Sequence, residues 1–135
     1  MQRIFSVKFS ETTVNIALLI LRVSIGVLMA HHGYQKLTKF QEIEPKFMEF
    51  LGLSRSISLS LTIGAELFCS LALVLGLLTR LALIPLIIAM CVAVFQAHHG
   101  EVFGDGEHAF MYMIVYVALL ITGPGKYSAD GFIFK

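Results

Sequence analysis

The sequence predicts an all-α membrane protein in which four transmembrane helices pack antiparallel as one bundle, with a short interfacial segment between the first two. Three observations predict it. The chain of 135 residues is 57% apolar and 14% charged, whereas a soluble domain of this size is about 45–50% apolar and about 25% charged. The apolar residues fall in four blocks rather than being spread along the chain. The first two blocks, at about 1.5 Å of rise per residue, reach across about 30 Å of hydrocarbon.

The first block covers residues 14–33. Arg3 and Lys8 precede it, as in a secretory leader. However, the block contains Arg22 and has no small-x-small cleavage site before Gly33, so it reads as a retained span. Residues 34–56 are polar, with Lys36, Lys39, Glu42, Glu44, Lys46, Glu49 and Arg55, and Pro45 punctuates them. Phe47, Met48, Phe50 and Leu51 suit a short helix lying in the membrane interface. The second block is 57–78 and the third 81–97; only Thr79 and Arg80 separate them, which makes the two helices antiparallel neighbours. A Gly-rich, acidic loop follows at 98–107. The fourth block, 108–123, is the shortest and must tilt little or sit in a thinned bilayer. Gly123, Pro124 and Gly125 then stop the helix. One domain, 1–135, accounts for the whole chain.

Net charge is +1, so no basic field exists to hold nucleic acid, and no nucleic-acid motif appears. The partner these numbers imply is the lipid bilayer, with room for a membrane-protein partner or a second copy. Counting Lys and Arg, five lie on the side of the termini and four on the other, a slight excess that places both termini in the cytoplasm.

Two charges lie inside the spans, Arg22 and Glu66. Each costs about 2.5–3.5 kcal/mol or more at mid-bilayer unless sheltered. Counted from the inner face, Arg22 lies about 12 Å and Glu66 about 18 Å deep. They are therefore expected to face the interior and to be coupled, directly or through water. A structural ion pair explains this as well as a proton-handling or ligand-orienting role does. The Arg22 face continues with Gly26, Met29, Gly33 and Lys36, and its glycines let another helix approach closely.

Five histidines, His31, His32, His98, His99 and His108, gather at the outer mouth with Gln35, Lys36, Gln96, Glu101 and Glu107. His32 is the better interior candidate of its pair. The plain reading is that these residues cap spans and bond loop carbonyls. Against it stand a ligand or quinone-headgroup site using histidine as donor or relay, a transition-metal site without the usual spacing, and a haem between His32 and His98. Cys69 and Cys91 come out at similar depth and read as packing residues. No catalytic residue and no metal set can be named.

On these residues the chain resembles the DoxX family of small bacterial membrane proteins. The resemblance runs through Arg22, Gly26, His32, Gly33 and Lys36 in LRVSIGVLMAHHGYQKL. It continues through Glu66, Gly76, Leu77, Thr79 and Arg80, then His98 and Glu107, and finally Gly123, Pro124, Gly125, Ser128 and Asp130. It implies four transmembrane helices and the bacterial cytoplasmic membrane. It also implies a loose link to quinone-coupled sulfur oxidation, redox-defence complexes or, in distant cousins, assembly of other membrane proteins. The short Gly-rich loop before the fourth span departs from the family pattern. The expectation is a redox-linked protein with a quinone or similar amphipathic ligand near Arg22, His32, Lys36, Glu66, His98 and Glu107. Gly26, Gly33, Arg80, Gly123, Pro124, Gly125 and Asp130 are expected to be structural. The alternative is a non-enzymatic subunit or assembly factor whose glycine-lined faces dock partner helices.

Overall fold

The computed structural model describes residues 4–97 and 99–134, apart from the Ala97 side chain. Arg3 and His98 lie outside the described residues. The first helix, α1, spans Glu11–Thr38. Ser10 starts it: its hydroxyl accepts from the Thr13 amide at 3.1 Å, and Glu11 complements the positive end. α1 outruns its apolar block at both ends, so Lys36 is still helical. After α2 (Phe40–Ile43), Pro45 sits at the start of a tight turn, Glu44–Lys46.

The expected interfacial helix over Phe47–Leu51 does not form. That stretch is irregular, with Leu51 and Gly52 at positive φ (51° and 78°) and the Leu53 amide donating to Phe50 O. A left-handed pair cannot continue a helix, so the chain turns into the next span instead.

The second long helix, α3, spans Arg55–Leu75; Ser54 caps it through the Ile57 amide. Its middle, Gly64–Cys69, widens into a π turn. Gly76 ends it at φ 69°, the left-handed stop that glycine adopts without cost. α4 spans Thr79–Gln96, carries Pro85 inside and finishes in a second π turn, Ala93–Ala97. α5, Glu107–Thr122, has 16 residues and is therefore about 24 Å long. A short α6, Ala129–Ile133, follows Ser128, whose hydroxyl accepts from the Gly131 amide.

Three helices long and apolar enough to cross a membrane, α1, α3 and α4, and the shorter α5 form a helical membrane bundle in which α1 packs on α3, α3 on α4 and α4 on α5, with α1 closing against α5. Met29, Leu73, Leu83, Leu86, Met90, Tyr116 and Leu119 fill the centre. Ile20, Phe68, Leu75, Leu81 and Ile121 are exposed on the outer faces, as a lipid solvent requires. Close packing of α1 on α3 rests on two glycines. A Cβ at Gly26 would lie 2.6 Å from Val74 Cγ2, and one at Gly33 would lie 2.7 Å from the Leu67 nitrogen. Both glycine faces are thus consumed inside the molecule, contrary to the expectation that they dock a partner.

Candidate functional site

At the end of the bundle nearest the 39–54 connection, the π turn of α3 carries Glu66, which is 3% exposed. Such turns widen the helix locally and recur at functional sites. One turn before Lys36, Gly33 brings the α1 backbone against Glu66 and Leu67. A helical side chain leans back toward its N-terminus, so Lys36 reaches inward from the last turn of α1. Its Nζ donates to both Glu66 oxygens, at 2.6 and 2.7 Å. The carboxylate's side chain is 4% exposed and the lysine's 30%, so the ammonium keeps contact with the outside while neutralising the buried acid.

This pair lines a cavity of about 490 Å³, to which Lys46, Thr62 and Gln96 also contribute. A second, apolar cleft of about 240 Å³ lies between α3 and α4 and includes Phe50, Leu61, Ala65, Pro85 and Ile88. The two adjoin: Phe47, Met48, Thr62, Ala89 and Val92 line both. Phe47 and Met48 are held in place because the next residue but one, Phe50, donates its amide to Ser58 Oγ at 2.9 Å. One turn along α3 from Glu66, Ser70 is fully buried, as is Tyr116 of α5, so polar groups continue from the chamber toward the core.

His32, the histidine expected to face the interior, does not do so. His32 is exposed and meets Tyr112 edge-on, with ring centroids 6.0 Å apart; Tyr112 in turn lies 6.1 Å from Tyr116. His31 is exposed. Glu107 is exposed in the first turn of α5, where a carboxylate suits the helix dipole. Among the described residues, no three His, Cys, Asp or Glu side chains converge as metal ligands would. Cys91 Sγ lies 3.3 Å from Met113 Sδ, and Cys69 sits apart from it on α3, both in packing positions.

Arg22 is buried, at 2% exposure, but it bonds other partners than Glu66, to which coupling directly or through water was expected. Its Nη1 donates to Pro124 O at 2.7 Å, and Nη2 to Tyr127 O at 3.0 Å and Val74 O at 3.4 Å. Register is the reason. Gly33 fixes α1 at the level of Glu66 and Gly26 at the level of Ser70 and Val74, which leaves Arg22 about 16 Å along the helix axis from the carboxylate. The returning tail fills the space there. The Asp130 carboxylate accepts from the Leu78 and Thr79 amides at 2.7 and 2.8 Å, capping α4, and its own amide donates to Gly76 O at 2.8 Å. The Lys126 amide donates to Asn15 Oδ1 at 2.9 Å, and Arg80 Nε to Leu120 O at 3.1 Å. Partial burial pushes the Asp130 carboxyl up, but the bonds from Thr79 and Leu78 and the nearby Arg22 guanidinium outweigh it and hold it below the usual carboxylate range. Gly123 and Gly125, at φ 78° and 82°, make the reversal that begins this clasp. Lys46 and Asn15 are the residues that sequence reasoning passed over. Asn15, a polar side chain in an apolar block, was a readable signal, whereas Lys46 looked like any lysine of a solvated connection.

The DoxX family model matches residues 17–99, more than half of the chain. The chain belongs to the DoxX family. The matched segment holds Arg22, Lys36, Lys46 and Glu66, and so the whole charged part of the chamber, whereas the tail half of the clasp lies beyond it. This DoxX protein is similar to Inner membrane protein YqjF of Escherichia coli (strain K12), 28% identical over 127 residues that cover 90% of this chain and 95% of that one. No solved structure matches the DoxX chain.

Proposed function

We propose that this DoxX-family chain is a bacterial inner-membrane protein, termini in the cytoplasm, that serves redox metabolism by holding a quinone or another amphipathic molecule in the chamber beside Lys36 and Glu66. The single observation that carries the reading is the buried Glu66 carboxylate paired with the half-buried Lys36, both lining a cavity that adjoins an apolar cleft. A ligand site in a membrane needs that combination: apolar walls for most of the molecule and a few placed polar groups for its head. An ionisable pair kept inside a bundle is by default a functional candidate.

In this reading Lys36 donates to the head of the ligand and Glu66 exchanges protons with it. His32 and Glu107, both exposed, serve the mouth. Arg22 leaves the ligand set and becomes an anchor for the tail. Quinone reduction takes two electrons and two protons; the electrons come from an oxidoreductase partner, and the chamber handles the protons. Gly26 and Gly33 face α3 of the same chain, so neither is free to dock a partner helix.

The test is reconstitution of the purified protein with menaquinone or ubiquinone. Saturable binding that is weakened by Glu66→Gln, together with an oxidative-stress phenotype of that variant in cells, is expected. Absence of binding by both quinones, with Glu66→Gln silent, overturns the reading.

A further inference from the structure

The geometry points to a lateral site: chamber and cleft together bind a lipid-borne amphiphile with an ionised acidic head, which enters between α3 and α4 and is held by Lys36 and Lys46. This rests on the reading that the chamber holds an amphiphile, though not on that molecule being a quinone.

Charge in the chamber is unbalanced in favour of an anion. Two ammonium groups, Lys36 and Lys46, line it against one carboxylate, Glu66; Gln96 is neutral. An ammonium has three donors. Lys36 spends two on the Glu66 oxygens, which leaves one for a ligand. Lys46 has no carboxylate within ion-pair distance among the described residues. A neutral hydroxyl or carbonyl head can satisfy these donors but not the charge, whereas a carboxylate or phenolate does both, with charge-assisted bonds of about twice the strength. A hydroquinone meets the requirement once it has lost a phenolic proton; the neutral quinone does not.

The route follows from the cleft. Its rim residues Leu61 and Ile88 are 56% and 50% exposed on the outer faces of α3 and α4, so in a membrane the cleft opens to acyl chains rather than to water. Phe47 and Met48 line both the cleft and the chamber. A chain lying in the cleft therefore delivers its head to the lysines without crossing the bundle.

The sequence contains no tryptophan, so Met48→Trp makes a unique fluorescent reporter on the shared wall, with Phe47→Trp as a second reporter if the first disturbs folding. In phosphatidylcholine nanodiscs at alkaline pH, dibrominated stearic acid is titrated against dibrominated stearyl alcohol. The expected result is saturable quenching by the acid at about tenfold lower mole fraction than by the alcohol, the scale of one charge-assisted hydrogen bond, with the advantage lost when Lys46→Gln is added. Equal quenching by acid and alcohol overturns the acidic head. Quenching by the acid no better than by brominated phosphatidylcholine overturns the lateral site. Ubiquinone titrated on the same tryptophan separates the two readings. Quenching by ubiquinone while acid and alcohol remain equal removes this inference and leaves the quinone chamber standing. Selective acid quenching without any ubiquinone effect supports this inference and removes the quinone.

Discussion

Lys36 and Glu66 are unequally buried, and that inequality decides how they respond to change. Removing one partner of a buried pair leaves the other charge uncompensated, at about 3–5 kcal/mol when both are deep. Lys36→Met strands Glu66, whose side chain is 4% exposed, and is expected near that range. Glu66→Gln leaves a lysine that is 30% exposed and can turn outward, so it is expected to cost clearly less. The double variant Lys36→Met with Glu66→Leu is expected to be more stable than Lys36→Met alone, because no charge then stays buried. Unfolding by denaturant in mild detergent measures all three. That both charges inside the spans face inward was legible from the cost of a charge in hydrocarbon. Which partner each would find was not, because partner choice depends on where neighbouring helices stand along their axes.

At the scale of elements, the α1–α3 contact and the tail clasp carry the predictions. A Cβ at Gly33 would meet backbone, the Leu67 nitrogen at 2.7 Å and the Glu66 carbonyl carbon at 2.9 Å, whereas at Gly26 the nearest atom is the end of the Val74 side chain. Backbone cannot rotate away. Gly33→Ala is therefore expected to destabilise by about 1–3 kcal/mol, the scale of overpacking, and Gly26→Ala by less. Thermal unfolding in detergent orders them, and equal effects would mean that α1 and α3 are not held this tightly. The Asp130 carboxyl is held below its usual range, so its ionised form favours the folded clasp. That contribution is complete above the ordinary carboxylate range and drains away as pH falls through the depressed value. Proteolysis of the tail, followed against pH, is expected to accelerate on the acid side. Asp130→Asn is expected to expose the tail at neutral pH and to flatten that dependence.

At the scale of the whole molecule, the clasp joins the ends of α1, α3, α4 and α5 through a few bonds from Arg22, Arg80, Asp130 and Asn15. Arg22→Met and truncation after Thr122 remove the same contacts from opposite sides. Their costs are expected to be far from additive, the double variant being little worse than the truncation alone; additive costs would show that Arg22 acts elsewhere. The bundle also separates its two polar ends. Ser54→Cys and Lys126→Cys, in a background with Cys69 and Cys91 replaced, are expected to react with an impermeant thiol reagent from opposite sides of the membrane, Lys126→Cys from the cytoplasm.

The amino-acid sequence by itself determined the solvent, the four apolar blocks from which the bundle is built, their antiparallel order and the inward direction of Arg22 and Glu66. These follow from local quantities: the hydropathy of a block, the length of a turn, the period of a helix. Only the tertiary structure decided that Glu66 pairs with Lys36, that Arg22 holds Pro124 and Tyr127, and that Lys46 looks into a cavity. Those outcomes depend on the axial register of α1 against α3, set where two glycines admit a neighbouring backbone, and on a tail that folds back across more than a hundred residues of sequence. No window along the chain contains either distance.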